Sequence, residues 1–488
     1  MESVRLGFGP RVPPEVLSHV LSWLDDTYDI SDASRVCRAW YKIAFPHLHQ
    51  HMTIRHIRYL HTLTVRLELE TTKTELRVGP CLRALSINLD PDVLHQDLHR
   101  PLLARFERVL THLTYLELLE LRYSSSPNLM SIFRSFRDQC SQLRWVIIRR
   151  LGGGSEDDQN EDVFVFKNMK RLEISWKHLD LQTPSRVPSA LIRMVEDSPE
   201  LYELRLDLTA IEMDDEYIEI PWWPSEFFRH LQNPLVQLRS LEIGGTYAIN
   251  WEALLQGSSQ CSLRRFFEQH PDLHTIRFRN DEHRMNLPFE PSLVEHLFPS
   301  VIEFTGPLAI CAGVMGSRLA EQLREVSVYD ELIDPILPCD NIFETLASVI
   351  RPHPKLEGLM LQLTCEDSDP AVDRLGDVLL KTSTLDTILA ATPNVWSILI
   401  GVPINWTELI MPLRRVPRIT EFHFKDSKRT SIEDTLLFKR KVIEIFDLCP
   451  MLLKIIGLRD GEDGSTLNVY REMDRFGVTT DTWGECHR

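Results

Sequence analysis

Apolar positions near the start of the chain recur at helical spacing. Pro13 and Pro14 suit a first helical turn, where a missing N–H costs nothing, and Glu15 complements the positive end of the helix dipole. Val16, Leu17, Val20, Leu21 and Leu24 then fall at one-face spacing. Asp25, Asp26 and Thr27 break the run, and Asp29 is placed to cap a second helix carrying Ile30, Ala33, Val36 and Cys37. A third short helix brings Trp40, Ile43 and Ala44 to one apolar side before Pro46 stops it. Three helices within about 35 residues bury too little surface to stand alone, so they need the rest of the chain or another protein.

Beyond residue 60 the period changes. One template keeps returning: apolar, two residues, apolar, one residue, apolar. It reads as Leu82-Leu85-Ile87, Leu143-Val146-Ile148, Leu201-Leu204-Leu206, Leu238-Leu241-Ile243 and Leu273-Ile276-Phe278. It continues as Leu323-Val326-Val328, Leu356-Leu359-Leu361, Val395-Ile398-Ile400 and Ile419-Phe422-Phe424. Weaker copies are Leu113-Leu116-Leu118, Met169-Leu172-Ile174, Val301 with Phe304, and Leu452 with Ile455, and the mean period is about 31 residues. Proline precedes several copies, at Pro199, Pro271, Pro299, Pro354, Pro393 and Pro450, where it ends a helix and sends the chain into an extended segment. Between copies lie helical patterns such as Leu102-Leu103-Phe106-Val109-Leu110, Leu129-Ile132-Phe133-Phe136, Leu191-Ile192-Val195 and Val442-Ile443-Phe446. Strand, loop, helix and return at this period predict a solenoid, with a parallel sheet on the concave side and helices outside. Leu204, Leu241, Ile276 and Leu359 are expected to lie beside their counterparts in adjacent repeats.

Both ends of the N-terminal pattern resemble the F-box. Val12-Pro13-Pro14-Glu15-Val16-Leu17 matches its Leu-Pro-x-Glu-Ile/Val-Leu opening, and Val36-Cys37-Arg38-Ala39-Trp40 matches its Val-Cys-Arg/Lys-x-Trp closing, at the right separation. The later template resembles leucine-rich repeats, although the Asn or Cys of regular repeats is mostly absent. Together they look like the F-box/leucine-rich-repeat proteins. The resemblance implies an α/β chain: a tail at 1–10, a three-helix F-box at 11–50, an irregular leucine-rich-repeat horseshoe at 51–460 and a tail at 461–488. It also implies that Val12, Pro13, Glu15, Leu17, Leu21, Leu24, Ile30, Val36, Cys37 and Trp40 serve binding of a Skp-family adaptor, and through it a cullin. The repeats would hold a protein target. On that reading the chain is the non-catalytic substrate receptor of an SCF-type cullin–RING ubiquitin ligase and uses no cofactor. The alternative is an adaptor-bound scaffold with no ubiquitin output.

Composition narrows the partners. Net charge is −17. Residues 1–55 hold six bases and six acids, so the remainder carries the whole excess, 48 bases against 65 acids. An acidic body repels phosphate backbones and anionic lipid, which argues against nucleic acid and membrane as partners. Nine cysteines, odd in number and never spaced C-x-x-C, argue against a disulfide framework or a zinc ribbon. The first residues lack the apolar stretch of a signal peptide, and no run approaches the roughly 18–20 apolar residues of a membrane span, so a cytoplasmic or nuclear location is expected.

Several constellations invite chemistry. His47, His49 and His51 alternate and would share one face of a strand, but no carboxylate or Cys accompanies them as a metal set. Gly152-Gly153-Gly154 lacks a P-loop ending and runs into Glu156, Asp157 and Asp158, which would repel phosphate. Pro221-Trp222-Trp223-Pro224 reads either as an aromatic protrusion or as an insertion packed on the solenoid. No nucleophile–base set or paired-carboxylate site stands out. On the repeat strands, the residues following the middle and last apolar positions point to the concave face. Arg277 and Arg279 form a basic pair there, with Tyr329, Met360 and Leu399 on later strands. Arginine with exposed aromatic and apolar groups is the composition of binding hot spots, and these five are the expected target contacts. Neutralisation of Asp207 and Glu242 by the two arginines is the alternative.

Overall fold

The structure, a computed structural model, describes residues 12–24, 26–70, 76–89, 99–123, 130–150, 163–180, 187–213, 217–256, 261–279, 291–331, 342–364, 380–404, 409–426, 444–458, 465–472 and 475–482. The chain divides into two compact units, residues 1–180 with 188–201, and residues 181–187 with 202–488.

The first unit begins with helices α1 (Pro14–Leu21), α2 (Thr27–Ser34) and α3 (Arg38–Leu48). Leu17, Leu21, Ile30 and Ala44 form their core, with Leu24, Ala33, Trp40, Ile43 and Leu48 packed against it. Three local expectations need correction. Asp26, not Asp29, caps α2: its carboxylate accepts the Tyr28 N–H at 2.7 Å, leaving Asp29 in the first turn, where it still favours the dipole. Val36 and Cys37 lie beyond the end of α2, with Cys37 extended before α3. Pro46 does not stop α3 but sits in its last turn, where one missing hydrogen bond disturbs least.

Helix α3 leads through His49 and Gln50 straight into β1 (His51–Ile54), which pairs in parallel with β2 (Ala84–Asn88). Helix α4 (Ile57–Leu69) follows β1. The Gln50 carbonyl accepts the N–H groups of Arg83 and Ala84 at 2.8 and 3.0 Å. That forked bond recurs in both units. The carbonyl one residue past each first apolar position receives two N–H groups from the next repeat, as at Arg83, Glu117, Arg144, Arg239, His274, Arg324, Glu357, Trp396 and Thr420. It fixes the spacing of successive repeats with backbone groups alone, which explains why the template tolerates such varied side chains there.

In the first unit β2 pairs with β3 (Leu118–Tyr123), β3 with β4 (Trp145–Arg150) and β4 with β5 (Arg171–Asp180), all parallel. In the second unit β6 (Glu203–Met213) carries an antiparallel partner, β7 (Tyr217–Ile220), and a parallel one, β8 (Ser240–Gly244). Parallel pairing continues through β9 (Thr275–Phe278), β10 (Glu303–Gly306), β11 (Glu325–Glu331), β12 (Gly358–Thr364), β13 (Ser397–Ile404), β14 (Glu421–Asp426) and β15 (Lys454–Leu458). Leu204 faces Leu241, Leu241 faces Ile276, and Leu359 faces Val326 and Ile398. This is the leucine-rich-repeat arrangement that the template predicts. Helices at Arg100–Val109, Met130–Gln139 and Ser189–Glu196 occupy three of the segments whose pattern is helical, while Val442 and Ile443 lie outside the described residues.

The weak copy at Leu113 is displaced by three residues. Leu85 pairs with Leu119 and Ile87 with Leu121, so the true copy is Leu116-Leu119-Leu121, and all three are buried. Residues 461–488, expected as a tail, include β16 (Ser465–Glu472) and β17 (Arg475–Thr482), an antiparallel pair added to β15. No helix among the described residues is long and apolar enough to cross a membrane.

A tight turn precedes the strands, closed by the N–H of the first template residue onto the carbonyl three residues back. Leu143 bonds Cys140 in this way, Leu201 bonds Ser198, Leu273 bonds His270, Val395 bonds Thr392 and Leu452 bonds Cys449. The turn's first side chain is buried in each of these five, and also at His353 in the repeat of Leu356. At His353 Nδ1 meets the Arg351 carbonyl oxygen and Nε2 is buried with no hydrogen-bond partner. Burial pushes this imidazole down from 6.5 to about 4. The unfolded ring takes up its proton near 6.5 and the folded ring only near 4. Stability present at neutral pH is therefore lost as pH falls through that window, by roughly 3 kcal/mol in full. His353→Thr, which places the residue of the equivalent Thr392 turn, should flatten the acid limb of urea midpoint against pH between 6.5 and 4.

Candidate functional site

Helix α1 carries more apolar side chains than its small core can cover. At 100° per residue, Val16, Leu17, Val20 and Leu21 span about 140° of the helix circumference, and Trp23 and Leu24 follow in the turn just past its end. The core takes the side of Leu17, Leu21 and Leu24. Val16 and Val20 are left 51% exposed each, Trp23 74%, and Val12, just before the helix, 56%. The Trp23 indole N–H donates to His19 Nε2 at 3.2 Å, with the rings edge to face, which holds the indole along the same stripe. Tyr28 and Tyr41 are also exposed, as are Val36 and Cys37 in the bend between α2 and α3.

The ten sequence-predicted adaptor residues thus divide. Leu17, Leu21 and Ile30 are core, Leu24 and Trp40 half-buried, and Val12, Pro13, Glu15, Val36 and Cys37 exposed. Sequence reasoning put Val16 and Val20 on one face with Leu17, Leu21 and Leu24 but left them off the adaptor set, and it passed over Trp23, Tyr28 and Tyr41. The width of the apolar arc was the available signal. So many large apolar groups in water on a module this small mark this side of it as a candidate interface.

The second candidate surface is the sheet face opposite the helices. Three outward rows cross the strands of each unit, one more than the sequence pattern suggested, because the residue just before the middle apolar position also faces outward. In the first unit the rows are Leu118–Trp145–Arg171, Glu120–Ile147–Glu173 and Arg122–Arg149–Ser175. The Arg171 guanidinium stacks on the Trp145 ring at 4.6 Å. Arg149 pairs with Glu173 at 2.9 Å and Glu120 at 3.7 Å.

In the second unit Arg205, Glu242 and Arg277 are register partners on β6, β8 and β9. The Glu242 side chain, 8% exposed, lies 3.1 Å from Arg205 Nε, 3.2 Å from Arg279 Nε and 3.9 Å from an Arg277 terminal nitrogen. Arg277 also pairs with Glu303 at 2.9 Å. The basic pair expected at Arg277 and Arg279 is therefore drawn inward onto Glu242, as in the neutralisation alternative. Met360 and Leu399 are half-buried register neighbours on β12 and β13, and Tyr329 lies on β11 opposite Gln362.

The remaining constellations find structural places. His47 belongs to α3, where its Nε2 is 3.0 Å from Ser18 Oγ; His49 caps that helix and packs on Phe45; only His51 lies on a strand. No group of three His, Cys, Asp or Glu side chains suited to a metal ion occurs among the described residues. Gly152, Gly153 and Gly154 lie outside the described residues. Trp222 is fully buried, its indole N–H donating to the Gly244 carbonyl at 3.1 Å, while Trp223 is at the surface. Gly245 makes this packing possible: its φ is +79°, and a Cβ there would fall 2.0 Å from the Leu208 carbonyl oxygen.

Residues 10–55 match the F-box-like family. The chain carries an F-box-like domain. A comparison with curated proteins finds no match to the chain. Among solved structures, the fold is similar to an internalin (InlF) from Listeria monocytogenes, at 12% identity and a TM-score of 0.30, covering 72% of this chain and 82% of that one. It is also similar to the yeast Rad7 and Elc1 complex, at 15% identity and a TM-score of 0.42, covering 80% of this chain and 88% of that one. The F-box-like match encloses the exposed stripe of α1 and the bend at Val36 and Cys37.

Proposed function

We propose that this chain is the target-recognition subunit of an SCF-type cullin–RING ubiquitin ligase. The observation that carries the reading is the F-box-like domain with an uncovered apolar face at Val12, Val16, Val20, Trp23 and Val36, where a Skp-family adaptor would dock and bring a cullin with it. The repeats would hold a protein target in the cytoplasm or nucleus. The chain's part in catalysis is then proximity: it holds a target lysine beside a charged conjugating enzyme, and no covalent step occurs on its own residues.

Target contact in the second unit is proposed at Tyr329, Met360 and Leu399, with Arg277 and Arg279 at its edge. Since both arginines also brace Glu242, the discriminating variant changes the apolar pair instead. Met360→Asp combined with Leu399→Asp should deplete, by tenfold or more, the proteins trapped on the chain when ligase activity is blocked, while adaptor recovery stays unchanged. Full retention of the trapped proteins by that variant removes these strands from the target surface.

A further inference from the structure

In the first unit one cation on the outward rows stands apart. Arg122, one residue from the end of β3, makes no hydrogen bond, ion pair or ring contact among the described residues, and its Nε is buried without a hydrogen-bond partner. Its register neighbours are Asn88 on β2 and Arg149 on β4. Arg149 is already shared by Glu120 and Glu173, and Arg171 is stacked on Trp145. Among the described residues the Arg122 guanidinium is thus partly desolvated with no counter-charge beside it, a costly arrangement unless something supplies one.

The chemistry around it describes what would. Across β2 to β5 the three outward rows hold three cations, Arg122, Arg149 and Arg171, against two carboxylates, Glu120 and Glu173, a local charge of +1. One further monoanion balances it, whereas a phosphate dianion would over-fill it beside two glutamates. Asn88 adds an amide donor next to Arg122. Along the strand from Arg122, Leu118 and Trp145 form an apolar pair in the first row, and four residues of strand separate the two ends, about 13 Å. An extended peptide covers that distance in four residues as well.

We infer that the open face of β2 to β5 binds an extended segment of a protein target, with a Glu or Asp carboxylate on Arg122 and, four residues away, an apolar side chain on Leu118 and Trp145. This rests on the receptor reading for its biological setting, but not for its chemistry. The arginines of the second unit do not offer the same site, because Glu242 and Glu303 already occupy them.

The test uses the full chain, bound to its adaptor, and three synthetic peptide pools. Each has Leu or Phe at one position and, four residues on, Glu, Gln or phosphoserine, with the rest randomised. The Glu pool should be retained at least tenfold over the Gln pool and over the phosphoserine pool. Arg122→Gln should remove that preference, while Arg414→Gln, at an exposed arginine that follows the helix Ile410–Leu413, should leave it in place. Equal retention of Glu and Gln pools, or a preference that survives Arg122→Gln, overturns the site. Stronger retention of phosphoserine overturns the carboxylate assignment. Recovery of adaptor with the Arg122 variant reports that the chain is folded. If the adaptor or cullin fails to bind the unaltered chain, the receptor reading falls while the peptide result stands separately.

Discussion

Aspartate at both Val16 and Val20 should lower the affinity of the full chain for a Skp-type adaptor by about 100-fold or more, with the urea midpoint of the chain unchanged. Both side chains are half in water and face away from the core, so their loss removes nothing that holds the three helices together. In a docked complex they would lie beneath the partner. Truncating an interface residue at a hot spot costs more than 1 kcal/mol, and here each change also forces a carboxylate under the partner. Two such changes reach the hundredfold level. Leu21→Ala is the contrasting variant. Leu21 is fully buried, and its truncation should cost about 2–5 kcal/mol of stability, losing the adaptor by loosening the domain instead. Isothermal titration with purified adaptor, beside urea unfolding, separates the two behaviours.

The second large effect is expected at Glu242. Its nearly buried carboxylate holds three guanidinium groups, from Arg205 on β6, Arg277 on β9 and Arg279 just past β9, so Glu242→Gln leaves those cations facing one another across a half-dry surface. Removing one member of a buried ion cluster costs about 3–5 kcal/mol, and because the arginines reach solvent the expected loss is at the lower end, about 3 kcal/mol. Arg279→Gln alone should cost far less. The double variant should be more stable than the sum of the two losses, because removal of Arg279 relieves part of the repulsion left by the missing carboxylate. Additive losses in urea unfolding would mean that the cluster does not act as a unit.

These residues show what the sequence could tell and what it could not. The repeat was legible because its buried positions recur at strand spacing and its turns carry proline at a fixed offset. Its phase was not legible at β3, where Leu113-Leu116-Leu118 and Leu116-Leu119-Leu121 both satisfy the template and only pairing with β2 decides. The first repeat, at β1, was hidden because His49 stands where later copies have Leu, and the forked backbone bond from Gln50 does not depend on the side chain. In the F-box-like domain the spacing located α1 but not the edge of its core, since a 140° apolar arc serves burial on one flank and partner binding on the other. Arg122 and Arg277 look alike along the chain. Their difference arises only from what the neighbouring strands bring beside them: two glutamates for Arg277, an asparagine and a second arginine for Arg122.

Stoichiometry decides between a ligase receptor and an interaction scaffold. With the full chain purified from its own cells and its partners quantified by mass spectrometry, the expected result is about one adaptor and one cullin per chain, both lost together in the Val16→Asp, Val20→Asp variant. Adaptor at equal stoichiometry with no cullin, or a cullin that persists when the adaptor is lost, would contradict it.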